Sequence, residues 1–500
     1  MNPVASIRHN TLWVLSGSLS GRVVEFIFGV VLARLLLPSD FGLLVTVQIF
    51  TGVLGFVAGG GMGEALVQAK NIQHKDYAVV FTLQLAIGLL IYCFLFFLSP
   101  FIAEWFHEEI YVDLLRVTAI TFILSPLARI PNAKLRREMR FKPVAIVQVC
   151  SILLSGVTSI TLASFGMGPW SLILGGLAGT LSSIVLLLLI TRWAPSIRFN
   201  RESARRLASF GFRFTANDLI AYARTRTANL LISHNLGSTQ VGLFNKAESL
   251  AQIPLLLISG SAYQTVFRTL SSLQGDHDKS TYLFLRSITL VTFYTLPFLI
   301  GFLWLADPFI TIVYGEKWSP AAPALQILSV AIALNIGANL SGAVIAAQNQ
   351  LGREIRIQLE SWAVLAAGIF IGLQGGITGV AAGMLPGYAY LSWRMLATSL
   401  DILSIQWKQL GNAVIPVLFR NAQLFFVLFA MDITLRVLPI PTHRILYFAI
   451  MAATGSLFYI MMFLYRPGKE MQSEADRWHA KLSKLMKLRF PVSSRSDSNQ

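Results

Sequence analysis

Long apolar runs broken by short polar connections set the plan of this chain. A helix rises 1.5 Å per residue, so about 20 apolar residues cross a hydrocarbon layer of about 30 Å. Runs of that length fall at residues 11–36, 41–67, 78–102, 112–132, 144–165 and 168–191. A second series falls at 210–235, 240–267, 284–306, 321–347, 358–374, 376–398, 412–435 and 444–465. The pattern predicts an all-α integral membrane fold of about fourteen transmembrane helices. No connection is long enough to fold as a catalytic domain of its own.

The connections also carry a direction. After the fourth run come Arg129, Lys134, Arg136, Arg137, Arg140 and Lys142; after the sixth come Arg192, Arg198, Arg201, Arg205 and Arg206. The connection after the third run instead holds Glu104, Glu108, Glu109 and Asp113, with no Lys or Arg. Cytoplasmic connections are the ones enriched in Lys and Arg, so both termini are expected on the cytoplasmic side. Beyond the last run, Met471, Ala475, Trp478, Leu482 and Leu485 fall on one helical face opposite Lys481, Lys484 and Lys487. This pattern predicts a basic amphipathic tail on the inner membrane surface; a solvated helix or a frayed end fits it as well.

Composition agrees with the pattern. Of 500 residues 55% are hydrophobic and 13% charged, and the mean hydropathy is +0.63, more apolar than a soluble domain. The net charge of +16 raises the question of nucleic acid, but the positive residues gather in connections and tail, where they set membrane orientation. The first run is too long, and too continuous with the next, for a cleaved leader, so it is expected to be retained. Cys93 and Cys150 lie in apolar runs without metal-ligand spacing. No disulfide framework, metal site or cofactor is expected, and both are read as small core residues.

An internal repeat underlies the helix count. Leu36 to Leu43 reads LLPSDFGL, and Leu236 to Leu243 reads LGSTQVGL. Each stretch ends one long helix and opens the next. Six spans separate the first helix from the seventh, so both start on the same side, the arithmetic of a parallel repeat about an axis along the membrane normal. The expected organisation is an N-terminal six-helix lobe (1–200), a C-terminal six-helix lobe (201–400), two additional transmembrane helices (401–466) and the tail (467–500).

Charges inside the spans supply the candidate chemistry. The first run holds Arg22 and Glu25; the seventh holds Asn217, Asp218, Arg224 and Arg226. Ions at such depth are costly against lipid and belong beside water or a partner. Arg22 and Glu25, three residues apart, share a helical face. Lys246, Glu248 and Glu64 are further candidates, with Arg34, Arg116 and Arg268 near enough to helix ends to snorkel to the headgroups. A structural polar contact also fits Lys246 with Glu248, and a buried stabilising pair also fits the mid-span arginines. Guanidinium is a planar fork suited to phosphate and keeps its charge at every relevant pH, so the favoured ligand is an anion such as a phosphate ester.

Leu231 to Pro254, LISHNLGSTQVGLFNKAESLAQIP, then VFRTLSSLQGD and ADPFITIVYGEKWSPAAPALQIL, and the opening ARLLLPSDFGLL carry a resemblance. They resemble the bacterial polysaccharide or O-antigen flippases of the multidrug/oligosaccharidyl-lipid/polysaccharide exporter superfamily; Phe244 stands where that family usually has Tyr. The resemblance implies two six-helix lobes around a cationic central cavity that opens alternately to either side. It implies a substrate made of a short glycan on undecaprenyl pyrophosphate, and a role for helices thirteen and fourteen with the lipid tail. Membrane lipids are expected contacts; a polysaccharide polymerase and a chain-length regulator are the protein partners it suggests. The expected binding residues are Arg22, Glu25, Asn217, Asp218, Arg224, Arg226, Lys246 and Glu248, with Glu25 and Asp218 able to link transport to protonation. The expectation is a transporter of the bacterial inner membrane and not an enzyme. Two alternatives stand beside it: a multidrug exporter of the same superfamily, which would want an acidic, aromatic cavity, and an integral-membrane glycosyltransferase or polysaccharide polymerase, which would want a large outer loop.

Overall fold

The computed structural model describes residues 21–68, 72–272, 276–437, 443–468 and 471–489, with side chains throughout except at 74, 203, 205–218, 261, 272 and 482–489. Regular structure among the described residues is helical. Residues 21–35 form α1. Then follow α2 (Pro38–Gly59), α3 (Met62–Gln68), α4 (His74–Phe106), α5 (Ile110–Arg137), α6 (Phe141–Ser164), α7 (Pro169–Thr191), α8 (Arg201–Leu236) and α9 (Ser238–Ser272). The chain continues through α10 (His277–Tyr314), a 3-10 turn (Glu316–Ala321), α11 (Ala322–Ala347), α12 (Leu351–Gly372), α13 (Gly376–Ile402), α14 (Trp407–Val437), α15 (Arg444–Tyr465) and α16 (Gln472–Arg489). Eleven stretches among the described residues are long and apolar enough to span a membrane, one of them the α12–α13 hairpin. Taking that hairpin as two helices, and adding the charge-bearing α8 and the partly described α1, recovers the expected fourteen.

Local chemistry sets the boundaries. Pro38 opens α2 at a position that needs no N–H donor, while Asp40 accepts the Leu37 N–H at 2.8 Å. The helix stops where Gly60 takes a left-handed φ of 50°, a conformation glycine adopts without steric cost. Asp76 does for α4 what Asp40 does for α2, accepting the Gln73 N–H at 3.0 Å.

The helices sort into two compact units. Unit 1 takes in the described residues up to Ser249, with 313–324 and 358–387. Within it, adjacent helices approach closely where side chains are small. Gly88 of α4 lies against the Phe122 carbonyl of α5, Gly175 and Gly179 of α7 against Ser159 and Ser155 of α6, and Gly368 and Gly372 of α12 against Gly383 and Gly379 of α13. Small residues at such crossings maximise packing between helices in lipid, where apolar side chains gain little by leaving the solvent. Trp362 of α12 donates its indole N–H to Thr227 of α8 at 2.8 Å.

At the end of unit 1 opposite the Lys/Arg-rich connections, the chain is knotted together. Gly42 of α2 and Gly242 of α9 meet at a crossing with no room for a Cβ on either. Below it, the hydroxyls of Thr46 and Ser233 lie 2.5 Å apart. The segment after α10 hooks the end of α1: Trp318 donates to the Ala33 carbonyl at 2.8 Å, Lys317 to the Arg34 carbonyl at 2.8 Å, and Arg34 to the Val313 carbonyl at 2.9 Å. Arg34 therefore bonds to backbone there.

Unit 2 takes in the described residues among 250–312 and 325–357 and those from Tyr388 onward. Leu424, Leu428, Leu435 and Met451 form a core between α14 and α15, with Trp304 of α10 packed on it. Tyr459 ties α15 to α10 by donating to the Phe293 carbonyl at 2.7 Å. The start of α16 docks here: Met471 is buried beside Phe293 and Val417, and Arg286 donates to Ser473 at 2.9 Å and pairs with Glu474 at 3.3 Å.

Large apolar side chains point outward on many helices, with Leu90 70% and Phe97 73% exposed. A soluble surface would not tolerate that density of apolar groups, and a bilayer requires it. The chain is a multi-pass membrane protein. Cys93 belongs to this outer surface, and Cys150 is half-buried, so the expectation of two core cysteines fails for Cys93. Arg129 was expected in a connection; it lies inside α5, because Pro126 and Pro131 do not end that helix.

Candidate functional site

One face of α2 is nearly bare. Gly52, Gly55 and Gly59 recur at intervals of three and four and so form a stripe. Into it reaches Tyr222 of α8, whose hydroxyl donates to the Gln48 carbonyl at 2.6 Å. A Cβ on Gly52 would overlap that hydroxyl. Phe56 meets the Tyr222 ring edge-on at 5.4 Å between centroids, which fixes the ring plane. One helical turn further along α8, the Arg226 guanidinium lies 5.4 Å from the centre of the same ring. Its Nε is buried without a hydrogen-bond partner.

Two cavities meet at this stripe. One, of 370 Å³, is lined by Tyr222, Arg226, Arg129, Thr118, Thr121 and Ser125 among others. The second, of 920 Å³, shares Gly52, Gly55 and Arg129 with it and extends to Glu25, Gln84, Asn132, Gln148 and Ser151. Glu64 and Arg136, also in its lining, pair at 2.7 Å. Arg226 stands ten residues from the end of α8, and Arg129 eight from the end of α5, about 15 Å and about 12 Å of helix respectively. Both are inside their spans.

The structure brings together part of the predicted set. Arg226 and Glu25 line the cavities. Glu248 is buried, 6% exposed, within electrostatic reach of Arg226 and beside Asn229. Arg22 lies on the exposed side of α1, with no hydrogen bond or ion pair to Glu25 among the described residues. Arg224 is half-buried on α8 and lines neither cavity. The side chains of Asn217 and Asp218 lie outside those described. Lys246 occupies a separate place near the knotted end, its ammonium 4.7, 4.8 and 5.1 Å from the ring centres of Phe41, Tyr314 and Trp318. Three aromatic faces around one ammonium form a cation–π box.

Sequence reasoning missed Arg129 and Tyr222. The signals were present: an arginine between two prolines inside an apolar run, and a glycine stripe with nothing of its own to pack.

A bundle of about fourteen spans, with basic and hydroxyl groups around cavities inside it, is the construction of a membrane transporter for polar cargo. More particularly, the chain belongs to the polysaccharide biosynthesis protein family, whose pattern matches residues 31–323. It is 24% identical over 358 residues to the lipopolysaccharide biosynthesis protein WzxC of Escherichia coli, covering 71% of this chain and 73% of that one. It is 24% identical to the succinoglycan biosynthesis transport protein ExoT of Rhizobium meliloti, covering 65% and 66%. A solved structure of the lipid II flippase MurJ in an inward closed conformation shares the fold with a TM-score of 0.73 at 15% identity, over 91% of this chain and 99% of that one. An inward-facing multidrug resistance transporter of the MATE family matches with a TM-score of 0.62 at 16% identity, over 77% and 94%. Membership of a polysaccharide biosynthesis family, in line with the motifs, is therefore established, and the all-α fold is shared with these solved structures.

Proposed function

We propose that this protein flips an undecaprenyl-pyrophosphate-linked oligosaccharide from the cytoplasmic to the periplasmic leaflet of the bacterial inner membrane, by alternating access through a cationic cavity. The observation that carries the reading is Arg226: a guanidinium held inside the bundle, with an unsatisfied Nε, on the wall of a cavity. Such a group favours a phosphorylated ligand. Only the polar headgroup needs shelter from lipid; the polyprenyl chain is at home in it. An 800 Å³ groove between α14 and α15, apolar through Phe426, Phe458 and Met462 with Arg420 and Arg466 beside them, suits such a chain. Arg22, Arg224 and Lys246, none of which lines either cavity in this state, join the basic set, together with Asn217, as the cavity changes shape through the transport cycle, and Glu25, Asp218 and Glu248 modulate it.

The knot of Gly42, Gly242 and Trp318 lies, by the positive-inside rule, at the periplasmic end. It corresponds to a state closed to the periplasm, and outward opening separates α2 from α9 there. Transport rather than bond cleavage is the role, in keeping with a relative named as a transport protein, and both termini are cytoplasmic. The basic cavity disfavours the organic cations of a multidrug exporter. The test is leaflet exchange of lipid-linked oligosaccharide, extracted from cells lacking the polymerase and reconstituted in vesicles with the purified protein. Exchange well above empty vesicles, reduced at least tenfold by Arg226→Gln, is expected; exchange no faster than in empty vesicles would refute the proposal.

A further inference from the structure

We infer that Arg129 is a second phosphate anchor, which with Arg226 clamps a diphosphate in the 370 Å³ pocket while the 920 Å³ chamber receives the hydroxyl-rich group attached to it. The inference rests on the flippase reading and adds to it a residue and a place for each part of the headgroup.

Arg129 has no hydrogen bond or ion pair among the described residues. Its Nη1 lies so close over Gly59 that a Cβ there would stand 2.9 Å away. Two acids share its larger cavity: Glu64 is engaged by Arg136 at 2.7 Å, and Glu25 sits on α1. The smaller pocket is lined by Arg129 and Arg226 and by no carboxylate. An uncompensated cation inside a span, as Arg129 is, is expensive unless an anion completes it, and Arg226, which has Glu248 within electrostatic reach but no carboxylate on the pocket wall, brings a second guanidinium to the same wall.

The hydroxyls around the pocket sharpen the assignment. Thr51, Thr118, Thr121 and Thr180 donate to carbonyls of their own helices at 2.9, 2.7, 2.7 and 3.0 Å. Their donors are spent, so the charged donors left for an anion are the two guanidinium forks, which match phosphate oxygens pairwise, with the Gln48 amide as a neutral donor beside them. The larger chamber differs in chemistry: the amides of Asn132 and Gln148 and the hydroxyls of Ser151 and Ser183 offer both donors and acceptors, as sugar hydroxyls require. The single side chain common to both cavities with a positive charge is Arg129, at the junction where a diphosphate joins its sugar.

The test is binding by the full-length protein in nanodiscs, read by native mass spectrometry, with undecaprenyl diphosphate as probe and undecaprenol, phosphatidylglycerol and inorganic pyrophosphate as comparisons. Expected are preference for undecaprenyl diphosphate over undecaprenol and phosphatidylglycerol, at least tenfold weaker binding by Arg129→Gln, partial recovery in Arg129→Lys, and parental binding by Arg353→Gln, a surface residue paired with Asp401. Pyrophosphate should compete. A second measurement leaves Arg129 intact: in a Cys93→Ser, Cys150→Ser background, alkylation of Asn132→Cys by a water-soluble maleimide should slow in undecaprenyl diphosphate and not in undecaprenol. Parental binding by a folded Arg129→Gln, with Arg226→Gln weakened, would remove Arg129 and leave the flippase reading standing. Equal binding of undecaprenol and its diphosphate by the parent would overturn both. Equal competition by phosphatidylglycerol would reassign the pocket to phospholipid and overturn the inference.

Discussion

Gly42 and Gly242 hold matching places in two similar stretches of sequence, LLPSDFGL and LGSTQVGL, and they touch. A Cβ on Gly42 would overlap the Ser238 carbonyl, and a Cβ on Gly242 would overlap the Pro38 carbonyl. Pro38 and Ser238 are themselves matched in those stretches. The contact is thus reciprocal, as at a two-fold interface where residue i meets j and j meets i.

Because both carbonyls are backbone, neither can swing aside for a methyl group. Gly42→Ala and Gly242→Ala should each destabilise the closed state by about 1–3 kcal/mol, the usual cost of overpacking. Faster labelling of a cysteine placed at Thr46, beneath the crossing, would register the loosening; unchanged labelling in both variants would count against a tight crossing.

Trp318 tests the hook on α1. It is fully buried, meets Phe41 edge-on at 5.3 Å and donates to Ala33. Trp318→Ala should cost about 3–5 kcal/mol. Trp318→Phe, which keeps a ring but strands the Ala33 carbonyl, should cost about 1–3 kcal/mol. Thermal unfolding in detergent should rank parent, Phe and Ala in that order.

Tyr222 and Gly52 should behave as one device. Gly52→Ala displaces the phenol from Gln48 and moves the Arg226 partner ring, so leaflet exchange should fall severalfold while the protein still folds. Tyr222→Phe removes only the hydrogen bond, about 0.5–1.5 kcal/mol, and should largely keep exchange. If Gly52→Ala is fully active, the ring does not position Arg226.

Glu474 fastens α16 to α10 through Arg286 at 3.3 Å and pairs within its own helix with Arg477 at 2.9 Å. Glu474→Gln weakens both contacts; a loss of 1–2 kcal/mol raises local opening by about 5–30-fold, to be seen as faster tryptic cleavage after Arg477. The half-exposed Glu64–Arg136 pair offers the contrast: Arg136→Ala should shift stability by no more than about 1 kcal/mol.

Much of this was legible beforehand, and the reasons are physical. Spans announce themselves because a bilayer demands about 20 apolar residues wherever the chain crosses it. The matching glycines of Leu36–Leu43 and Leu236–Leu243 showed in the sequence because the backbone-to-backbone approach of Gly42 and Gly242 admits no other residue. Arg226 stood out as an ion in apolar surroundings. Arg129 hid among the basic residues that follow it, since a positive charge near a helix end reads as an orientation signal until its depth is known. Lys246 was visible as an intramembrane cation, but the box around it is assembled from Phe41, Tyr314 and Trp318, residues about seventy or two hundred positions away. Periodicity carries no information about partners so distant.

The reciprocal seam bears on how such a chain could arise. A segment that fits its own twin across a seam supplies both sides of the contact from one short pattern, so a chain needs only to carry that pattern twice. The twins differ where their surroundings do: Asp40 caps α2, and Gln240 stands in its place on α9.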